Sequence, residues 1–244
     1  FDDHRRGNMA TYLFRTGDSG RSWQRVSTEG VEGFAHIVRE DPEVPGLLYL
    51  GTEFGLWVSL DGGTAWIRWT HGLPTVPVRD LAIQQRDRDL VVGTHGRAAY
   101  VIDDLEPLRT AARAGGQGIP DAHLFAPPTA WLHEVAEAPG YRSYGHAMFY
   151  GESAPYGALL SFWSASGGER AELFLTDAEG DTLRALETAV RPGLNRVVWD
   201  LESASAGDPA DRDRLVQGRG PEVPPGSYTV RLRIGDRHGE GVVQ

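Results

Sequence analysis

The chain has 244 residues and a net charge of −10, because 34 acidic residues outnumber 24 basic ones, and it contains no cysteine. The acidic balance argues against nucleic acid as a partner, since phosphate binding requires a basic surface. The lack of cysteine excludes disulfides and thiolate metal sites. No apolar run predicts a membrane span, no signal peptide opens the chain, and the first residue is not Met. We therefore expect a piece of a longer polypeptide.

A repeat organises the first part of the chain. The segments 16–23 (TGDSGRSW) and 59–66 (SLDGGTAW) share the pattern Ser/Thr-x-Asp-x-Gly-x-x-Trp and lie 43 residues apart. A second pair of similar segments begins at Gly51 (GTEFGLWVSLD) and Gly93 (GTHGRAAYVIDD), 42 residues apart. A period of about 40–45 residues is typical of one four-stranded blade of a β-propeller.

Short runs rich in β-branched and aromatic residues fill each repeat, and Gly, Pro and Asp separate them. We predict nine strands, in chain order TYLFRTG, SWQRVS, FAHIVRE, LLYLGTE, GLWVSLD, AWIRWT, VRDLAIQQ, DLVVGTH and RAAYVIDD. In each repeated motif the Asp and Gly residues suit a hairpin turn. The Trp that follows is large enough to fill the gap between neighbouring blades. The motif is therefore interpreted as structural, and we expect Trp23 and Trp66 to be buried.

The two motifs resemble Asp-boxes, the repeat signature of sialidases, xyloglucanases and sortilin-like propellers. The flanking sequence between residues 48 and 108 is similar to large exported bacterial proteins of the sortilin-like group, which are often labelled glycosyl hydrolases. The resemblance covers residues 1–108 and implies the last two to three blades of a larger ring. It assigns a structural role to six residues, namely Asp18, Gly20, Trp23, Asp61, Gly63 and Trp66.

The last blade lacks a third Asp-box and an outer strand. A few blades cannot bury both of their flanks, because each repeat packs only on its neighbours. We therefore expect the remainder of the propeller to come from the same or another chain, and a strand from elsewhere to pair along residues 98–103. Residues 109–122 (RTAARAGGQGIPDA) are rich in Gly and Ala and predict a linker.

The remaining residues, 123–244, predict a second all-β domain. It begins with an aromatic-rich segment, interpreted as interdomain packing or, alternatively, as a carbohydrate-stacking surface of Tyr141, Tyr144, Phe149 and Tyr150. Five runs then alternate with a period of two, as half-buried strands do. The segments RPGLNRVVWD and VPPGSYTVRL resemble the immunoglobulin-like domain of flagellar hook-capping proteins. We expect a core containing Trp199, Phe174, Leu232 and Tyr228, and a mobile charged loop at 203–220.

Candidate functional residues lie where loops meet the blade face opposite the Asp-box turns. The candidates are Glu53, Phe54, His71, Arg79, His95 and Arg97, with Asp2, Asp3 and His4 on the same face. Such carboxylates, imidazoles and guanidiniums suit a polar ligand, but they also occur on any solvated loop surface. A sialidase would need more arginines beside Arg79 and Arg97 and a Tyr nucleophile.

The same face also has residues that an inverting glycosidase or a metal site would use. An inverting glycosidase would need two carboxylates across a groove, for which Glu53 and Asp80 are available. A metal site of Glu53, His71 and His95 lacks a recognisable ligand spacing, so we expect neither metal nor cofactor.

We therefore predict an exported bacterial binding or scaffold protein, extracellular or periplasmic, that recognises polypeptide or glycan. The alternative is a glycoside hydrolase whose catalytic residues lie mostly outside this sequence.

Overall fold

A computed structural model describes residues 3–115, 118–133, 154–207 and 211–244. The chain is all-β, as predicted, and its sheets are antiparallel and open. It divides into two compact units, Phe1–Ile119 and Pro120–Gln244. The predicted aromatic residues Tyr141, Tyr144, Phe149 and Tyr150 lie outside the described residues.

Unit 1 contains three sheets that follow each other along the chain. The first is a hairpin of β1 (Leu13–Arg15) and β2 (Gln24–Val26), preceded by a 3-10 turn at His4–Arg6. The second is a four-stranded meander, with strands β3 (Ala35–Glu40), β4 (Leu48–Thr52), β5 (Gly55–Ser59) and β6 (Ile67–Trp69) in sequence order. The third contains β7 (Val78–Gln84), β8 (Asp89–Thr94) and β9 (Ala99–Ile102).

The second and third sheets share one hydrophobic core. Strand β5 is buried along its whole length, and Tyr49, Leu56, Leu81 and Leu90 from both sheets pack together. Close approach of the two sheets requires Gly51 in β4, because a Cβ atom there would lie 2.6 Å from the Val78 carbonyl oxygen of β7. A repeat that packs on its neighbour in this way gains its stability from the shared interface.

The segment predicted as a linker begins inside a helix. Helix α1 (Glu106–Arg113) follows β9, and Leu105, Leu108 and Ala112 pack against the shared core of unit 1. Arg109 is fully buried and its Nε donates to Asp41 Oδ2 at 3.0 Å, while its Nη1 donates to Glu43 at 2.7 Å. Among the described residues β9 pairs only with β8, so residues 106–113 continue as a helix and not as an outer strand.

The described residues of unit 2 form two sheets with a common core. One sheet has the strand order β10-β11-β14 and the other β13-β12-β15-β16. Their bounds are β10 His123–Leu124, β11 Ala158–Ser164, β12 Arg170–Thr176, β13 Thr182–Ala189, β14 Gly193–Trp199, β15 Tyr228–Ile234 and β16 Arg237–Val243. Side chains of both sheets form one cluster, so the sheets pack face to face.

Three of the four predicted core residues of unit 2 are confirmed. Trp199, Leu232 and Tyr228 are buried in the common core, where the rings of Trp199 and Tyr228 meet edge to face at 5.4 Å. The prediction is wrong for Phe174, which belongs to a separate cluster with Leu215. Side chains alternate along a strand, so Phe174 points away from the core that its neighbours Leu173 and Leu175 enter.

The described part of the charged segment 203–220 is also more ordered than predicted. It contains helix α2 (Arg212–Gln217), whose N-terminus is capped by Asp211 accepting from the Arg214 amide. Leu215 is buried against Ala185 and Ala204. Val216 packs beside it, and Arg212 pairs with Glu172 and Glu187 of the sheet, so apolar packing, ion pairs and the capping aspartate together hold this short helix.

Candidate functional site

Three ionisable side chains meet at one end of the sheets of unit 1. His36 Nε2 lies 2.8 Å from Glu53 Oε2, and Arg79 Nη1 lies 3.2 Å from His36 Nδ1. Arg79 Nη2 is 3.6 Å from the same Glu53 oxygen. We call these three residues the His36 cluster. Side-chain exposure rises from 9% at His36 through 25% at Glu53 to 48% at Arg79, so the arginine faces solvent.

The repeat explains why the His36 cluster forms. His36 and Arg79 are 43 residues apart and occupy the same position near the start of β3 and β7. In both strands the pairing register shifts at that residue, between Ala35 and Ile37 and between Val78 and Asp80. A bulge re-aims a side chain relative to a regular strand. Two equivalent bulges on adjacent sheets thus direct an imidazole and a guanidinium toward Glu53, which follows β4.

The hydrogen-bond partners of His36 assign its tautomer. Arginine is a donor only, so Nδ1 of His36 must accept from Arg79 and carry no proton. Nε2 then carries the ring proton and donates it to the Glu53 carboxylate, which is an acceptor only. This tautomer is assigned from the partners, as hydrogen positions usually are. The imidazole is neutral, and it joins an anion to a cation.

An aromatic wall lies beside the cluster. The buried Phe34 ring meets His36 edge to face at 4.7 Å, and His4 stacks on Phe34 at 4.5 Å. The Phe34 carbonyl accepts from the Glu53 amide at 3.2 Å, and the Thr11 hydroxyl donates to the neighbouring Gly33 carbonyl. These contacts hold the backbone on both sides of the cluster and shield one face of the imidazole from water.

The other predicted candidates lie in loops at the same end of their sheets, and within the described part of the chain they form no hydrogen bond with the side chains of the His36 cluster. Phe54 is exposed in the β4–β5 turn. His71 is exposed between β6 and β7, and His95 and Arg97 are exposed between β8 and β9. The His95 amide donates to the Pro77 carbonyl at 2.9 Å, which reproduces the Glu53–Phe34 bond in the next repeat. Asp2 lies outside the described residues.

The hypotheses of a glycosidase carboxylate pair and of a metal site can be compared with these positions. Asp80, considered as a second carboxylate, accepts from the Leu81 amide at 2.9 Å and lies 3.7 Å from Arg39. Glu53 instead contacts His36 and Arg79. Among the residues that the structure describes, no group of three His, Asp or Glu side chains is placed to hold a metal ion, so Glu53, His71 and His95 do not form such a group.

Sequence reasoning missed His36 and Phe34. The signal was available, because His36 stands 43 residues before Arg79, the same interval that separates the two Asp-boxes. Aligning every residue of one repeat with the next would have placed His36 beside Arg79. The bulges that bring both side chains to Glu53 have no comparable sequence signature.

The two repeated turns, at residues 16–23 and 59–66, lie at the opposite end of the sheets and have matching hydrogen bonds. Asp18 Oδ1 accepts from the Thr16 hydroxyl at 2.8 Å and the Ser22 amide at 2.9 Å. Asp61 Oδ1 accepts equivalently from the Ser59 hydroxyl at 2.8 Å and the Ala65 amide at 2.9 Å. In each turn the same hydroxyl accepts from the motif Gly amide at 2.8 Å. Both aspartates are therefore used by their own turns.

The hydrogen bonds within the two turns lower the pKa values of Asp18 and Asp61. The Ser22 amide, followed by the Ser22 and Thr16 hydroxyls, lowers the pKa of Asp18 to about 2. Burial raises the pKa of Asp61, but the Ala65 amide, Ser59 hydroxyl and Thr64 amide outweigh it, so its pKa is lowered overall. Hydrogen bonds to the charged form favour ionisation, and both turns hold a carboxylate at neutral pH.

Comparison with known proteins leaves the family open. No family model and no curated protein matches the chain. Among solved structures, the chain is similar to one described as the extracellular domain of a one-component system from B. thetaiotaomicron, with 12% identity and a TM-score of 0.29. The match covers 96% of this chain and 28% of that one, so this chain spans less than a third of the matched protein. Neither helix in the described part of the chain has the length and hydrophobicity needed to cross a membrane.

Proposed function

We propose that unit 1 is a run of consecutive blades of an Asp-box β-propeller and that unit 2 is an immunoglobulin-like sandwich. The proposal for unit 1 is supported by the 43-residue interval, the four-stranded meander β3–β6 and the matching hydrogen bonds of the two turns. In unit 2, the Tyr228 hydroxyl donates to the Pro224 carbonyl four residues upstream. A tyrosine bonded in this way to nearby backbone is a known feature of immunoglobulin-like sandwiches.

The protein is proposed to be an exported bacterial binding or scaffold protein that recognises a polypeptide or a glycan with the loop end of these blades. The observation that carries the proposal is the His36 cluster. It combines an acceptor, a donor and an aromatic wall at loops that a scaffold of sheets holds in place, which is the composition of many polar ligand sites. Its solvent-facing member, Arg79, is the residue that a ligand would reach first.

The test is binding by the full chain to arrays of oligosaccharides and of peptides, followed by calorimetry with each ligand found. Glu53→Gln and Arg79→Gln should each weaken binding about ten-fold or more, because they remove the charged members of the site. Arg86→Gln is the matched control, since Arg86 is an exposed arginine paired with Asp87 at the opposite end of β7. It should change the affinity less than about two-fold.

Two outcomes would contradict the proposal. One is the absence of any ligand on either array. The other is a ligand whose affinity is unchanged in Glu53→Gln and Arg79→Gln. Hydrolysis of chromogenic glycosides that disappears in Glu53→Gln would favour the glycoside hydrolase alternative instead.

A further inference from the structure

We infer that the His36 cluster is an oxyanion site controlled by one proton, in which protonation of His36 releases Arg79 to bind an anionic ligand. The ligand class is a group with charged oxygens, such as a carboxylate or a sulfate. The inference rests on the proposed function, because it concerns the same loop end of unit 1. It adds the chemistry that the site recognises and the condition under which it does so.

In the neutral state, Arg79 is held by the cluster itself. Its Nη1 donates to His36 Nδ1 at 3.2 Å, and its Nη2 lies 3.6 Å from Glu53. The first bond exists only while Nδ1 keeps its lone pair. An incoming anion would have to displace His36 as an acceptor and would also meet the negative charge of Glu53.

Protonation of Nδ1 reverses this arrangement. The imidazolium has two donors and no acceptor, so Arg79 loses its hydrogen bond to Nδ1, faces a like charge there, and keeps only the 3.6 Å approach of its Nη2 to Glu53. His36 keeps Glu53, because that 2.8 Å bond becomes charge-assisted and therefore stronger. The His36 side chain is only 9% exposed, whereas Arg79 is 48% exposed, so the arginine is the member that moves toward solvent.

The surroundings of His36 leave Arg79 as the group that responds. Glu53 and Arg79 are the charged groups bonded to the ring, and Phe34, itself stacked on His4, covers the ring edge. On the same two strands, Arg39 already donates to the Leu81 carbonyl at 2.9 Å and pairs with Asp80. Protonation changes the formal charge of the cluster from zero to plus one.

The freed guanidinium suits an oxyanion. Its fork of N–H donors matches the geometry of carboxylate, sulfate and phosphate oxygens. Histidine ordinarily exchanges its proton between about pH 5 and 8, so the site should open under mildly acidic conditions.

The experiment measures sulfate binding to the full chain by NMR at about pH 5.5 and about pH 7.5, a range over which histidine changes charge and sulfate does not. The signals followed are the Arg79 Nε–H resonance and the backbone amide resonances of residues 78–80, which remain measurable in Arg79→Gln. Wild-type affinity should be at least about five-fold higher at the lower pH, within the usual range of coupling between two binding events. His36→Gln should bind equally at both pH values, and Arg79→Gln should lose the pH-dependent binding. Arg86→Gln should behave as wild type.

A second measurement needs no variant. The 15N shifts of the His36 ring at about pH 7.5 should show the proton on Nε2 and a lone pair on Nδ1. A proton on Nδ1 at that pH would overturn the inference, as would wild-type affinity that is equal at both pH values or higher at the upper one. Retained pH dependence in His36→Gln would do the same.

Acetate in a parallel titration distinguishes a preference for planar carboxylates from one for tetrahedral oxyanions. The experiments distinguish failure of this inference from failure of the proposed function. Empty oligosaccharide and peptide arrays together with pH-dependent sulfate binding would refute the proposed function and leave the proton control standing. Array ligands that need Glu53 and Arg79 but bind equally at both pH values would support the proposed function and refute the proton control.

Discussion

The two repeated turns, at residues 16–23 and 59–66, share their main hydrogen bonds but differ in how their tryptophans are packed. Trp66 is partly buried, and its Nε1 donates at 2.8 Å to the Ser27 carbonyl, which follows β2 of the preceding hairpin. Trp23 is 60% exposed, and its Nε1 donates at 3.2 Å to Gly20 of its own turn. The expected burial therefore does not hold for Trp23, because no preceding sheet among the described residues covers it.

This difference separates two roles of one motif. The turn itself is mainly local, because the bonds of its aspartate, hydroxyl and motif glycine lie within eight consecutive residues. The second turn adds one distant bond, from the Gly62 amide to the Gly46 carbonyl at 2.8 Å. The tryptophan acts between repeats, and it is buried only when a neighbouring repeat supplies a surface for it. Paired substitutions in the two turns can therefore separate the local role from the packing role.

The largest difference is expected at the motif glycines. Both have left-handed backbones, with φ of +87° at Gly20 and +89° at Gly63. A Cβ at Gly63 would also lie 2.4 Å from Val26 Cγ1, whereas at Gly20 the nearest atom is 3.8 Å away on Trp23. Gly63→Ala should cost about 2–4 kcal/mol, from backbone strain and overpacking together. Gly20→Ala should cost about 1 kcal/mol, from strain alone. Urea denaturation of the full chain measures both, and equal losses would contradict the packing role.

A smaller difference is expected at the tryptophans. Trp66→Ala removes a partly buried ring and its hydrogen bond to Ser27, and should cost about 2–3 kcal/mol, below the range for fully buried aromatic rings. Trp23→Ala should cost less than about 1 kcal/mol, as exposed side chains usually do. Thermal unfolding of both variants beside the wild type provides the comparison. A loss at Trp23 as large as that at Trp66 would show that Trp23 packs against something in solution.

The smallest expected effect is on the stability of the folded protein at low pH. The pKa of Asp18 falls from 3.8 to about 2 on folding. A depressed pKa contributes stability that is complete above the unfolded value and is lost as the pH falls through the folded one. Wild-type stability should therefore decline between about pH 4 and about pH 2 more steeply than that of Asp18→Asn. Melting temperatures across this window test the expectation, and parallel curves would contradict it. Asp61→Asn should act in the same direction, since the pKa of Asp61 is also lowered.

Neither α-helix in the described residues was predicted from the sequence, and both were missed for the same physical reason. Helices α1 and α2 have eight and six residues, and isolated helices of such length are marginal in water. The first is held by the buried pair of Arg109 with Asp41, whose side chains are 68 residues apart. The second is held by Leu215 in a cluster with Ala185 and Ala204. Neither contact is visible in a local window of sequence.

The sequence by itself determined the strands of unit 1 and the form of the two repeated turns. Their signals are local, since turn residues, alternating side chains and a capping aspartate act within a few residues of each other. The tertiary structure alone decided which tryptophan is covered and which candidates meet. His36, Glu53 and Arg79 come from three elements, and two equivalent bulges bring them together. A bulge depends on how two strands pair, and pairing is a property of the folded sheet.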